Sequence, residues 1–225
     1  GAHTATVTIT DPGGLSTSAP PITITAWGSA PAWGAVYAWG WNAYGELGNG
    51  TTHDSWLPVS ASGLSGVAEI QMGIFYSLAR QPDGTVFAWG FNGGFLLGDG
   101  TTPDRLTPEQ APAFAGAVAV ARGSYATYTL KADGSVWACG KNGNGEVGDG
   151  TTVPRQFPVR VTLADGSPLS EITAIAAGTS HAVALRSDRT VWAWGRNNYG
   201  QVGDGTGMDR NRAVQVTLDD GTPLA

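Results

Sequence analysis

Residues 190–206 read Thr190-Val191-Trp192-Ala193-Trp194-Gly195-Arg196-Asn197-Asn198-Tyr199-Gly200-Gln201-Val202-Gly203-Asp204-Gly205-Thr206, and the chain writes nearly this stretch four times. The other copies are GAVYAWGWNAYGELGNGTT at 34–52, GTVFAWGFNGGFLLGDGTT at 84–102 and GSVWACGKNGNGEVGDGTT at 134–152. Their equivalent glycines, Gly40, Gly90, Gly140 and Gly195, are spaced 50, 50 and 55 residues apart. Self-similarity at such a period marks a repeat architecture. Within the stretch, Val191 and Ala193 fall on one face and Trp192 and Trp194 on the other, the period of two expected of a strand. Both faces are apolar, which fits a strand held between two neighbouring sheets. Ala38, Ala88, Ala138 and Ala193 are the small residues that let such sheets approach.

A second strand-like block precedes three of the copies: 68–79, 117–130 and 172–185. Asp83-Gly84 and Asp133-Gly134 join the two blocks as tight hairpin turns. Past the repeated stretch comes a loop, then Pro58, Pro108 or Pro158. Each unit is therefore about four short strands. A sheet that small cannot bury both faces alone, whereas radial stacking of copies buries them. The predicted fold is all-β: propeller blades of four short antiparallel strands, about 3.5 to 4 of them. We read a half blade at 34–59, blades at 67–109, 117–159 and 172–216, and the start of a further repeat at 217–225.

The pattern [apolar]-x-Ala-Trp-Gly-x-Asn-x-x-Gly-[Glu/Gln]-[Leu/Val]-Gly-[Asp/Asn]-Gly-Thr-Thr over residues 34–216 resembles the regulator-of-chromosome-condensation repeat in its bacterial form. The resemblance implies a β-propeller, usually of seven blades, used as a platform for other proteins. One branch of such propellers inhibits β-lactamases through an aromatic rim, and another promotes nucleotide exchange on a small GTPase. The family's Ala-Gly-x-x-His-Ser-Leu-Ala-Leu stretch is kept at 177–185, but Tyr76 and Ala126 stand at the histidine position and Cys139 replaces a tryptophan.

The ends depart from the repeat. Residues 1–26 read as a β-hairpin or as the tail of a bacterial immunoglobulin-like domain, which they resemble, and 27–33 as a linker. Gly1-Ala2-His3 reads as the scar of a cut tag. Residues 216–225 repeat 161–170 at the same spacing of 55, so the pattern breaks off in mid-repeat. Three readings stay open: a fragment of a longer chain, a ring completed by two or more chains, or an open arc. An open arc exposes strand edges and apolar faces, and self-association through the incomplete blades is its expected consequence.

Composition narrows function. Apolar residues make up 41% and glycine reaches 34, while charged residues are 13% and the net charge is −6. Lys131 and Lys141 are the only lysines, and nothing basic clusters, which argues against nucleic acid and anionic membrane. No uninterrupted apolar run of about 18 residues exists to span a membrane. His3, His53 and His181 fall at unrelated places, and no acid, base or nucleophile recurs as a set, so no enzyme, catalytic residue, metal or cofactor is expected. Asp99, Asp149 and Asp204, with Asn49 at the same point, read as caps of their own turns rather than calcium ligands. Glu46 and Glu146 read as structural, because Gln201 and Leu96 replace them in other copies.

What varies between copies marks a binding surface. The residue after the strand glycine is Trp41, Phe91, Lys141 or Arg196. Trp41, Tyr44, Trp56, Phe91, Phe95 and Tyr199 are the candidate binding residues, as aromatics of a propeller rim. Packing between neighbouring sheets is the competing reading. The expected protein is a non-catalytic interaction scaffold with a protein partner, secreted or on a bacterial cell surface. Carbohydrate binding and a purely structural spacer are the alternatives.

Overall fold

The structure is a computed structural model that describes residues 4–7, 22–25 and 35–224. Its elements are β1 (Thr4–Val7), β2 (Ile22–Thr25), β3 (Tyr37–Gly40), β4 (Ser55–Ser60), β5 (Glu69–Met72), β6 (Tyr76–Arg80), β7 (Val86–Gly90), β8 (Arg105–Gln110), β9 (Ala117–Arg122), β10 (Ala126–Lys131), β11 (Val136–Gly140), β12 (Arg155–Arg160), β13 (Ile172–Ala177), β14 (His181–Arg186), β15 (Val191–Gly195) and β16 (Arg210–Gln215), with one 3-10 turn at Pro112–Phe114. Strands β5–β8, β9–β12 and β13–β16 form three four-stranded antiparallel meanders. Strands β3 and β4 pair as a two-stranded half blade, and β1 pairs with β2. The turn expected at 11–14, the tag scar at 1–3 and the linker at 27–33 lie outside the described residues.

The hairpin between the two middle strands follows from Asp-Gly. Gly84 takes φ +85°, its N–H donates to the Gln81 carbonyl, and Asp83 accepts from the Thr85 N–H. Glycine adopts that φ freely, while Arg189 takes the same place in the last copy at φ +73° and bears the strain of a side chain there.

Sheet stacking is decided on the alternating faces of the middle strands. Ala38, Ala88, Ala138 and Ala193 are all at most 2% exposed, the close approach expected of them. Trp89 and Trp194 point back at the preceding blade. Each indole Nε1–H donates to a backbone carbonyl there, Trp89 to Glu46 at 2.8 Å and Trp194 to Glu146 at 3.0 Å. Each indole lies on a loop glycine: a Cβ on Gly48 would sit 2.8 Å from Trp89 Nε1, and one on Gly148 would sit 2.7 Å from Trp194 Cδ1. In the copy carrying Cys139 the seat is filled differently. Phe114, wholly buried on the 3-10 turn, presses on Gly98, where a Cβ would lie 2.4 Å from its ring. Burial pushes the Cys139 thiol well above its ordinary value, so the residue is a packing group. Tyr76 crosses to the following blade, its hydroxyl donating to the Ala126 carbonyl at 2.9 Å and accepting from Thr127.

Candidate functional site

The loop after each Trp-Gly or Cys-Gly is built around one buried asparagine. Asn42, Asn92, Asn142 and Asn197 are wholly buried. In the third copy Asn142 Nδ2 donates to the carbonyls of Thr151 at 3.0 Å and Val153 at 3.1 Å, while its Oδ1 accepts from the Val147 N–H at 2.9 Å. Asn42 repeats this on Thr51 and His53, while Asn92 and Asn197 keep the Thr101 and Thr206 carbonyls and donate also to Asp99 and Asp204; Oδ1 accepts from Leu47, Leu97 and Val202. A side chain that satisfies three separated backbone groups folds the loop as a single object. Nothing in the sequence reading assigned this asparagine a role, although its recurrence inside Gly-x-Asn-x-x-Gly was visible.

The recurring acids serve these loops. Asp99 Oδ1 accepts from the Thr101 N–H and hydroxyl, both at 2.8 Å, and Asp149 and Asp204 do the same with Thr151 and Thr206. Their other oxygens accept from Arg105, Arg155 and Arg210. Burial raises the Asp99 carboxyl, but the Thr101, Asn92 and Arg105 donors outweigh it and hold the group below its usual value. In the first copy Asn49 replaces the acid and Ser55 replaces the arginine, so charge and countercharge disappear together. Among the described residues no three His, Cys, Asp or Glu side chains gather as metal ligands.

Four aromatic rings meet at the loop end of the half blade and the first full blade. Tyr44 lies 5.4 Å from Trp41, 6.3 Å from Phe75 and 4.9 Å from Phe91; Trp41 and Phe91 each also touch Phe75, at 6.4 and 5.9 Å. Three of the four are among the expected residues. Phe75 was missed because it sits in the β5–β6 turn, a different part of the repeat; the Phe91 N–H donates to its carbonyl and brings the two loops together. Trp41 remains 45% exposed and the other three rings are half-buried, so the set is both packed and accessible. Gly93 and Gly94 make room beside it: Phe91 folds over Gly93, and the Lys141 side chain runs along Gly94 to reach the Tyr125 ring. Lys141 and Arg196, the counterparts of Trp41 and Phe91, are exposed, so the rim passes from aromatic to cationic along the arc.

The other expected residues stand elsewhere. Trp56 is on the outer strand β4 and 95% exposed; Tyr199, the counterpart of Tyr44, is 84% exposed. Phe95 holds the place of Gly45, Gly145 and Gly200 with a left-handed φ of +62°. His181 lies against Gly178, its pKa lowered by burial.

Beside Tyr44 stands a buried carboxylate with one oxygen left unpartnered. Glu46 is 5% exposed; Oε2 accepts from the Tyr44 N–H, but Oε1 has no partner among the described residues. In the third copy Asn144 Nδ2 supplies that missing donor to Glu146, at 2.7 Å. Tyrosine at position 44 adds a ring to the surface and removes the donor. Burial therefore raises the Glu46 pKa from 4.5 to about 7. A carboxyl whose folded pKa is raised favours the folded state fully below its unfolded value, and that contribution is lost as pH climbs from about 4.5 through about 7. Glu46→Gln, which copies Gln201, should stabilise the protein at pH 8 by on the order of 2 kcal/mol and have little effect at pH 4.5. Urea melts at the two pH values check this; equal effects at both would place the cause elsewhere.

Comparison with known proteins agrees with this geometry. The sequence model described as "Regulator of chromosome condensation (RCC1) repeat" matches residues 34–79, 83–130 and 133–185, and a second model of the same description matches 172–201. The chain belongs to the RCC1 repeat family. Its RCC1 repeats are out of phase with the sheets: 34–79 holds β3–β6, the outer half of one blade and the inner half of the next. Each repeat thus ties two neighbouring blades covalently. Human WBSCR16 superposes with a TM-score of 0.73 at 25% identity, over 83% of this chain and 49% of that one. Yeast RCC1 (Prp20), solved bound to Kap60, superposes at 0.71 with 22% identity, over 83% and 45%, and supports the propeller fold alone. The Arabidopsis thaliana ultraviolet-B receptor UVR8 is 43% identical over 51 residues, which is 23% of this chain and 12% of UVR8. The chain spans about half the length of the solved relatives.

Proposed function

We propose that this RCC1-repeat arc is a non-catalytic scaffold that binds another protein through the Trp41–Tyr44–Phe75–Phe91 cluster. The observation that carries the reading is the cluster itself. Four rings from three loops of two blades stay accessible at one rim, at the expense of a partner for Glu46. Aromatic residues at the centre of a protein interface commonly carry most of its binding energy. The cationic continuation through Lys141 and Arg196 favours a partner with an apolar anchor flanked by carboxylates. A yeast relative, Prp20p, is described with its binding properties to Gsp1p and histones, which supports protein binding as the use of such a surface. We place the protein outside a bacterial cell, a reading that rests on its lysine-poor, Thr/Gly/Trp-rich composition.

The test is affinity capture with wild type and with Trp41→Ala/Phe91→Ala. The double variant should keep its melting temperature within a few degrees and lose at least about 30-fold in affinity for a captured protein. A carbohydrate ligand on a glycan array would replace the reading with sugar binding. Equal capture by the two proteins would overturn the role of the cluster.

A further inference from the structure

Three of the four rim loops carry a polar side chain that caps its own backbone; the second copy has Leu96 there, with no polar atom to satisfy. Glu46 Oε2 accepts from the Tyr44 N–H at 2.9 Å, as Glu146 Oε2 does from Asn144 and Gln201 Oε1 from Tyr199, both at 2.8 Å. The second polar atom of the pair then finds a partner on the loop surface. Asn144 Nδ2 donates to Glu146 Oε1 at 2.7 Å, and Gln201 Nε2 donates to Asn198 Oδ1 at 3.3 Å. Asn198 is exposed and Asn144 half-buried, so both partners come from the solvent side.

In the first copy those two places hold Ala43 and Tyr44. Alanine has no polar side-chain atom, and the Tyr44 ring turns to Phe91 and Trp41 instead. Glu46 Oε1 is left without a partner among the described residues, in a side chain that is almost wholly enclosed. The equivalence of the loops puts this oxygen on the side of residues 43 and 44, where Ala43 is exposed. The loop itself belongs to an interior junction: the Trp89 indole and the Ser77 hydroxyl of the next blade both donate to the Glu46 carbonyl. Charge around the carboxylate has one sign. Burial raises the Glu46 pKa to about 7, and the charges of Asp104 and Asp54 add to that rise. Asp54 accepts from the Asn42 N–H and Asp104 from the Asn92 N–H, and neither forms an ion pair among the described residues.

We propose that the partner's anchor on this surface is a basic side chain, whose N–H enters past Ala43 beside the Tyr44 ring and donates to Glu46 Oε1. The inference rests on the reading of the ring cluster as a protein-binding surface and names the tip of the anchor. Lysine and arginine lay long apolar stems along apolar surface while the charged head seeks a polar partner. The rings take the stem, and a cation beside an aromatic face gains cation–π attraction. The incoming donor does for Glu46 what Asn144 does for Glu146. A carboxylate at the same place would meet Glu46, Asp54 and Asp104, so the partner's cation belongs at the aromatic end and its carboxylates at the Lys141 and Arg196 end.

The test uses the whole chain and two probes of nearly one shape, N-acetyl-lysine methylamide and N-acetyl-norleucine methylamide, at constant ionic strength. By NMR, the Glu46 carboxyl carbon, assigned through its loss in Glu46→Gln, reports ionisation, and the Trp41 indole reports binding. At pH 8 the lysine probe should bind at least about fivefold more tightly than the norleucine probe, and about fivefold more tightly than it binds at pH 5.5, because a cation favours the ionised carboxylate. For the same reason a near-saturating lysine probe should lower the Glu46 titration midpoint from about 7 by on the order of half a pH unit. Glu46→Gln should bind the two probes within about twofold of each other. Equal binding of the probes by wild type, or no response to either up to about 100 mM, would overturn the basic anchor. Capture with Trp41→Ala/Phe91→Ala would then still decide the protein-binding surface by itself, because that comparison requires no cation. A lysine preference that survives in Glu46→Gln would overturn Glu46 as the receiving group.

Discussion

Asn142→Leu is expected to destabilise the protein by about 4 kcal/mol, although leucine has nearly the same shape and the site is buried. The Val147 N–H and the Thr151 and Val153 carbonyls all lose their partner at once, and the leucine offers none of them a replacement. Each buried group left unsatisfied costs roughly 1–3 kcal/mol, partly relieved where loop movement admits water. The apolar gain from leucine is smaller, because the asparagine was already fully enclosed. Urea unfolding at pH 7 should show a lower midpoint with an unchanged slope. Asn198→Ala, at an exposed asparagine in the equivalent loop of the last copy, should stay within about 0.5 kcal/mol. A loss below about 1 kcal/mol for Asn142→Leu would mean that backbone turns alone hold the loop.

Trp194→Ala should cost about 4 kcal/mol and detach the last blade before the others. The indole is wholly buried between two blades, edge-on to Tyr128 at 5.8 Å, with its N–H on the Glu146 carbonyl. Alanine removes the contact, the hydrogen bond and the filling of the Gly148 seat together. Among the described residues β13–β16 has a neighbouring blade on one side, so the loss falls on the sheet with least support. Hydrogen exchange should show lost protection in β14 and β15 while β6 and β7 keep theirs. The third copy shows how this seat is filled without tryptophan, since Phe114 reaches it behind Cys139. The last copy has no such substitute, because Leu169 stands where Phe114 would be and is already packed. Uniform loss of protection across all three blades would instead mean that the arc unfolds as one unit.

Much of this arrangement was legible from residue order. The period of 50, the alternation in Val191–Trp194 and the Asp-Gly hairpins located the strands to within a few residues of the observed blades. The turn-capping role of Asp99, Asp149 and Asp204 follows from a short-range hydrogen bond, and short-range bonds are written in adjacent residues. The candidate site was legible in part. Trp41, Tyr44 and Phe91 belong to the repeated stretch and meet, whereas Phe95 and Tyr199 belong to it as well and lie outside the cluster, as does Trp56 on the outer strand. Phe75 joins them from another loop, at a spacing that no periodicity in the chain announces.

Residue order alone dictates the unit: four short strands, small alanines where sheets touch, an aromatic on the opposite face, and loops turned by glycine. These are consequences of local geometry and of burial on two faces, and both leave a period in the chain. Which groups meet across blades was decided only in the folded structure. The indole of Trp194 finds a carbonyl 48 residues away and the Tyr76 hydroxyl finds one 50 away, so each contact depends on how one sheet seats on the next.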